Sequence, residues 1–289
     1  MRFAATILAA LVVALPARAE PALWVVQSPT AKIYLFGTMH ILPKPADWFG
    51  PKIAAAFKDS SALWEEADIG MNDPNVMSHI MSEAMSQDYD LWSALPSDYA
   101  DKLRDQLNGC GLNEAVVAHV RPWMAAMMVS ICQMTASAGG KLGPMHDNPE
   151  AVLMDKAHET AKEINYFETA DQQIGYLANA PENAQMGQLR QAIDDASGGK
   201  DDYAATESAW VNGDVSAIAK TVDQSRKEDP AFYATVFPER NARFAARIEE
   251  MLKANQTAFV AIGAGHLAGP DSVLAVLARQ GITAQRLDK

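Results

Sequence analysis

Two histidines stand in matching local settings far apart in the chain. Gly37-Thr38-Met39-His40 follows the apolar run Ile33-Tyr34-Leu35-Phe36, and Gly263-Ala264-Gly265-His266 follows Ala258-Phe259-Val260-Ala261-Ile262. Each run reads as a buried strand, and the glycine after it lets the backbone turn tightly. Each imidazole then lies just past the carboxyl end of a strand, where α/β proteins place their ligands. Three further groups fall at the ends of expected elements. Glu66 closes the strand Ala62–Asp68, Glu168 closes Ile164–Thr169, and Arg240 sits near the start of a helix. Two neutral imidazoles with a carboxylate form a ligand set for Zn²⁺, Mn²⁺ or Co²⁺, here His40, His266 and Glu66. A bound divalent ion lowers the pKa of its water and polarises a carbonyl. Glu168 is the candidate base or fourth ligand. Arg240, with Asn241 beside it, is the candidate for holding a substrate carboxylate or a developing oxyanion.

Each signal is short, and a lone histidine at a strand end is more often a hydrogen-bonded structural residue. The weight rests on the combination. The chain has no His-Glu-x-x-His, Cys-x-x-Cys, Gly-x-Ser-x-Gly or P-loop pattern. Gly263-x-Gly265-x-x-Ala268 imitates a dinucleotide fingerprint, but His266 and Leu267 lie inside it and Pro270 follows at once. His79, His119, His146 and His158 have no partner spacing and read as structural or surface residues. The methionines over residues 75–87 fall at helical spacing and read as a packed helix face, not a metal-binding box.

The elements that must position these groups alternate in period. Leu23–Ser28 and Lys32–Phe36 read as a hairpin leading into the first Gly-x-x-His. Pro51 opens a helix, and Ala62–Asp68 is a third strand. Along it Glu66 and Asp68 share one face while Glu65 and Ala67 share the other; for acids at a strand end the bland reading is a solvated edge. Helices follow: one over 75–87, one from Asp98 to Leu107 capped by Ser97, one over Asn113–Val120, one over Pro122–Met134, and one over Val152–Lys162. After the strand at Ile164–Thr169 come helices and loops, with a long helix from Pro238 to Lys253 whose Phe244, Ile248, Met251 and Leu252 are apolar. Thr257–Ile262 is the fifth strand. Pro270 is expected to open a helix to Arg279, and Ile282–Leu287 to form a last edge strand. The fold class is α/β, a helix-rich α+β arrangement. It has a central mixed β-sheet flanked by helices and a helical insertion over residues 75–160, in a single domain 20–289.

The chain has 289 residues, with 24 basic and 36 acidic side chains and a net charge of -12. So acidic a surface disfavours nucleic acid and anionic lipid as partners. Residues 1–19 read as a secretory signal: Arg2, an Ala-rich apolar core from Phe3 to Leu15, then Pro16 and Ala17-Arg18-Ala19 at the cleavage site. No cysteine follows that site to carry a lipid. The mature protein is expected to be periplasmic or secreted, without stable membrane insertion. Cys110 and Cys132 could bridge if Pro122 breaks the intervening segment into a helical hairpin; two buried free thiols are the alternative.

These segments resemble the TraB/GumN family, which includes the Tiki proteases. The matching stretches are Leu35–Pro43, the strand end Glu66-Ala67-Asp68, Arg121-Pro122-Trp123, Met154-Asp155, and Phe167-Glu168-Thr169 with Gln172 or Gln173. Arg240-Asn241 and Ala261–Pro270 complete them. The resemblance implies a mixed α/β fold in the broader group of erythromycin-esterase-like and ChaN-like proteins. It implies a metal-dependent hydrolase, a peptidase in Tiki-type members, with His40 and His266 paired, Glu66 as the strand acid, and Glu168 and Arg240 in the site. Met39 replaces the more usual Ile or Val, a packing change. The leader is expected to give a soluble exported protein and not a membrane-tethered protease, so the Tiki substrate class does not carry over; the expected substrate is a peptide or small molecule of unknown identity. ChaN-like relatives imply the alternative, a non-catalytic haem- or ligand-binding envelope protein using the same pocket.

Overall fold

The computed structural model describes residues 20–42, 46–69, 73–137, 139–140, 148–198 and 202–287. The leader expected over residues 1–19 and His146 lie outside them. Strands β1 (Leu23–Gln27) and β2 (Lys32–Thr38) form the expected antiparallel hairpin, with Leu23 opposite Phe36 and Gln27 opposite Lys32. Helix α1 (Pro51–Asp59) leads to β3 (Ala62–Ala67). Six helices follow: α2 (Pro74–Ala84), α3 (Leu91–Ala94), α4 (Ser97–Gly109), α5 (Glu114–Val117), α6 (Pro122–Ser137) and α7 (Pro149–Glu159). After β4 (Glu163–Glu168) come α8 (Ala170–Ala178), α9 (Glu182–Ser197), α10 (Asp202–Val211), α11 (Val215–Glu228), α12 (Pro230–Val236) and α13 (Pro238–Lys253). Strand β5 (Thr257–Gly263), a single 3₁₀ turn (Ala264–Leu267), α14 (Val273–Arg279) and β6 (Gln285–Arg286) complete the described chain.

The sheet order is β4-β3-β5-β2-β1-β6, with β4, β3, β5 and β2 mutually parallel and β1 antiparallel to both its neighbours. This is the mixed sheet flanked by helices that the sequence pattern predicts. Four parallel strands bring four carboxyl ends to one edge. The loops after β2 and β5, and the last residues of β3 and β4, therefore meet there.

Both sheet faces are covered, which explains the apolar runs. One face carries Trp24, Ile33, Leu35, Trp64, Val260 and Ile262, packed against Phe244, Ile248 and Met251 of α13 and Leu277 of α14. The other carries Val25, Phe36, Leu63 and Phe259 against α1, α7 and Trp210 of α10. A third cluster, built on Leu103, Leu107, Val129 and Leu189, joins α4, α6 and α9 away from the sheet. There Cys110 and Cys132 are bonded to each other, with Cα atoms 5.8 Å apart, which decides between bridge and free thiols. Among the described residues no helix is long and apolar enough to cross a membrane.

Three local expectations change. Ser97 lies inside α4 and Pro96 is its N-cap, so no side chain caps that helix. Pro270 precedes α14, which starts instead from Ser272, whose hydroxyl accepts from the Ala275 N–H at 3.2 Å. The last strand shortens to Gln285–Arg286, because β1 offers it only the partners Trp24 and Val25.

Candidate functional site

Register places the candidate groups. Thr38 of β2 pairs with Gly263 of β5, so the two Gly-x-x-His turns leave the sheet side by side. Gly37 permits this closeness: a Cβ there would stand 2.9 Å from the Ala264 Cα. On β3, alternation sends Trp64 and Glu66 to the α13 face and Leu63 and Glu65 to the α7 face. Helix α13 returns antiparallel to β5, so its first turn, with Arg240 and Asn241, arrives at the same edge. Its buried side, Arg240, Asn241, Phe244, Ala245, Ile248, Met251 and Leu252, follows helical periodicity.

The groups converge on Gly263. A Cβ built on that glycine would lie 3.1 Å from Glu66 Oε1, 3.3 Å from His40 Nε2 and 3.5 Å from His266 Cδ2. Three side chains from three elements thus line one cradle that only glycine leaves empty. The solvated-edge reading of β3 fails here, since Glu65 and Glu66 are 5% and 6% exposed.

Arg240 organises the buried half. Its Nη2 donates to Glu168 Oε2 at 2.7 Å and to Glu66 Oε2 at 3.0 Å, its Nε to Glu168 at 3.1 Å, and its Nη1 to His266 Nε2 at 3.2 Å. Glu168 Oε1 also accepts from Arg243 at 3.2 Å and from the Tyr176 hydroxyl at 2.9 Å. His266 Nδ1–H donates to Asn241 Oδ1 at 2.6 Å, and Asn241 Nδ2 is fixed by the Asp271 carbonyl at 2.8 Å. A guanidinium can only donate, so His266 Nε2 must carry a lone pair. The ring is neutral by geometry, and burial, helped by Arg240 and opposed by Glu66, lowers its pKa to about 4. Burial pushes Glu66 up, yet His266, His40, Arg240 and the Gly263 N–H at 2.5 Å outweigh it and hold the carboxyl at about 2.

His40 is the open side of the site. Its side chain is 57% exposed, and Nδ1 meets Glu150 Oε1 at 2.7 Å. Crowding by protein atoms works against its charge, but Glu150 and then Glu66 win and raise its pKa to about 9. Glu65, on the other face of β3, is lifted to about 8 by burial and by Glu150, Asp68 and Glu66. Neither Glu65 nor Glu150 stands out in the sequence. Their signals are an acid one residue before Glu66 and an acid in the first turn of a helix that starts at a proline.

The other described histidines, His79, His119 and His158, lie away from the cradle. His79 approaches Asp171 at 3.4 Å and His119 Nδ1 contacts the Tyr89 carbonyl at 2.9 Å, while His158 is exposed on α7.

The TraB/PrgY/gumN family model matches residues 22–286. The chain belongs to the TraB/PrgY/gumN family. The match spans both Gly-x-x-His turns, Glu66, Glu168 and Arg240, so every group at the sheet edge lies within the TraB/PrgY/gumN region. No curated relative matches the chain.

The donor types at this TraB/PrgY/gumN site, two imidazoles and a carboxylate, are ones that divalent ions accept. Both imidazoles tie Nδ1 to an acceptor and turn Nε2 inward, the arrangement by which metal-ligating histidines are oriented. His266 Nε2 and Glu66 Oε1 are 3.6 Å apart, close to the spacing of two ligands each about 2.1 Å from one ion. Arg240 shares those same lone pairs, and among the described residues no group of three or more His, Cys, Asp or Glu side chains stands where it could hold a metal ion. An ion would therefore exchange with hydrogen bonds of Arg240.

Proposed function

We propose that this protein is a hydrolase that cleaves a carbonyl-centred bond, a peptide bond by preference, at the Gly263 cradle. The observation that carries this reading is the meeting of His40 Nε2, Glu66 Oε1 and His266 around one empty Cβ position. In its metal-dependent form, His40, His266 and Glu66 would hold Mn²⁺, Co²⁺ or Zn²⁺, which would supply an acidified water and a polarised carbonyl. The chain's own groups have distinct tasks. In the form without an ion, His40, open to solvent and next to the cradle, takes the proton from the attacking water and returns it to the leaving group. Arg240 keeps an Nη1 hydrogen for the developing oxyanion. Glu168, whose oxygens are engaged by Arg240, Arg243 and Tyr176, anchors Arg240 and leaves the base role to His40. Asn241, buried behind His266, fixes that ring rather than a substrate.

A second reading is favoured by Arg240 itself. Its guanidinium already stands beside Glu66 and His266, where it supplies positive charge without an ion. Equilibrium dialysis against Mn²⁺ and Co²⁺, followed by peptide hydrolysis with and without chelator, separates the two. One ion per chain at micromolar concentration and activity lost to chelator support the metal-dependent form. Chelator-resistant hydrolysis assigns the polarising role to Arg240. Haem taken up through exposed His40 would instead give a Soret band that disappears in His40→Ala. The reading places the enzyme in the periplasm or outside the cell; a mature N-terminus at Glu20 would support it, and a retained leader would oppose it.

A further inference from the structure

The turn carrying His40 is gripped from outside the sheet. The Gly37 carbonyl accepts from Trp210 Nε1 at 2.6 Å, the His40 carbonyl from Asn148 Nδ2 at 3.1 Å, and the Ile41 carbonyl from the Tyr203 hydroxyl. Asn148 is the N-cap of α7, its Oδ1 accepting from the Ala151 N–H at 2.8 Å, and Glu150 lies in the first turn of the same helix. The start of α7 thus holds His40 twice, by its backbone through Asn148 and by its ring through Glu150. A carboxylate in a first helical turn lies in the favourable field of the helix dipole. Such a group accepts from an imidazole N–H and fixes both tautomer and ring plane.

The two histidines of the cradle are therefore oriented by different chemistry. His266 has a neutral amide behind it, Asn241, and is buried. His40 has a carboxylate behind it and is open. Glu150 has a further mark of a specific role: its second oxygen, Oε2, is buried with no hydrogen-bond partner among the described residues. A carboxylate placed there for helix stability alone would have no reason to lose its hydration on one oxygen while bonding a histidine with the other.

We propose that Glu150 is the positioning residue of His40: it holds the proton on Nδ1 and aims the Nε2 lone pair at the Gly263 cradle. This role deepens the hydrolase reading and rests on it for its purpose, but its test does not depend on activity. Long-range ¹H–¹⁵N correlation spectra of the histidine rings report which nitrogen carries the proton once the ring is neutral. The wild-type protein is expected to show His40 as the Nδ1–H tautomer. In Glu150→Ala the Nε2–H form favoured by an unpartnered histidine should replace it, while His266 keeps Nδ1–H. Glu150→Gln, which retains an acceptor oxygen, should keep the wild-type tautomer. Binding of Mn²⁺ alone should weaken about 10- to 100-fold in Glu150→Ala.

An Nε2–H His40 in the wild type overturns the proposal without any variant, which covers the case in which Glu150→Ala fails to fold. A folded Glu150→Ala with His40 unchanged overturns it equally. A wild-type protein that takes up no Mn²⁺ counts against the metal-dependent reading and leaves the tautomer result standing.

Discussion

Arg240 and Glu168 form a two-pronged ion pair almost sealed from water, Nη2 to Oε2 at 2.7 Å and Nε to Oε2 at 3.1 Å, with side chains 5% and 2% exposed. The same guanidinium reaches Glu66 and His266. One cation thus fixes the ends of β3 and β4 and the turn after β5. Removing it takes the guanidinium from buried Glu66 and leaves buried Glu168 with only Arg243 as counter-charge. Arg240→Met should cost about 3–5 kcal/mol of stability, read from urea unfolding. Arg240→Lys should recover little, because an ammonium cannot reproduce the fork. A Met variant of wild-type stability would show that the pair does not hold the site.

Gly263 separates site geometry from fold. The nearest atoms a methyl group there meets belong to the side chains of Glu66, His40 and His266, at 3.1–3.5 Å, while one at Gly37 meets the backbone of Ala264 at 2.9 Å. Gly263→Ala should keep the unfolding midpoint close to wild type and abolish metal uptake and hydrolysis. Gly37→Ala should lower the midpoint. Full activity in Gly263→Ala would place the chemistry elsewhere.

Glu65 should leave a mark on stability against pH. Its carboxyl titrates near 4.5 when unperturbed and near 8 in the fold. The folded state therefore binds more protons than the unfolded one between those values, and stability falls as pH rises through that window. The slope is up to about 1.4 kcal/mol per pH unit. Glu65→Gln should remove this slope and unfold later than wild type at pH 8. Parallel pH profiles for the two proteins would contradict the buried-acid assignment.

His40 gives the same sign over a higher window. Its folded pKa is raised from 6.5 to about 9. The stability it contributes is therefore complete below pH 6.5 and is lost as pH rises through 9. Any reaction or ion that needs the Nε2 lone pair should strengthen over the same rise. In Glu150→Gln both limbs should move toward lower pH. Titration of the His40 ring by NMR in the two proteins checks the shift.

Much of the site was legible because its groups stand at punctuation marks. β-Rich runs ended by Gly37 and Gly263 name two strands and the histidines after them, and parallel pairing then brings Glu66 and Glu168 to the same edge. The central place of Arg240 was not legible: a helix start shows that an arginine is available, not that three other elements lean on it. Glu150 was hidden for the same reason, since an acid after Pro149 reads as ordinary helix-dipole matching. Glu65 looked like half of a solvated acidic edge, because nothing in a single strand reveals that α7 covers its other face. The short β6 and the start of α14 at Ser272 depended on how much of β1 stays open, a tertiary fact.

The central claim is that His40, Glu66, His266 and Arg240 form one hydrolytic centre. Its most direct test is turnover of a mixed peptide and ester library by purified wild type, His40→Ala and His266→Ala, each assayed metal-free and with Mn²⁺ or Co²⁺. The account expects wild-type turnover that falls at least about 100-fold in either variant, with both still folded. Absence of turnover under every condition, or variants as fast as wild type, would contradict it.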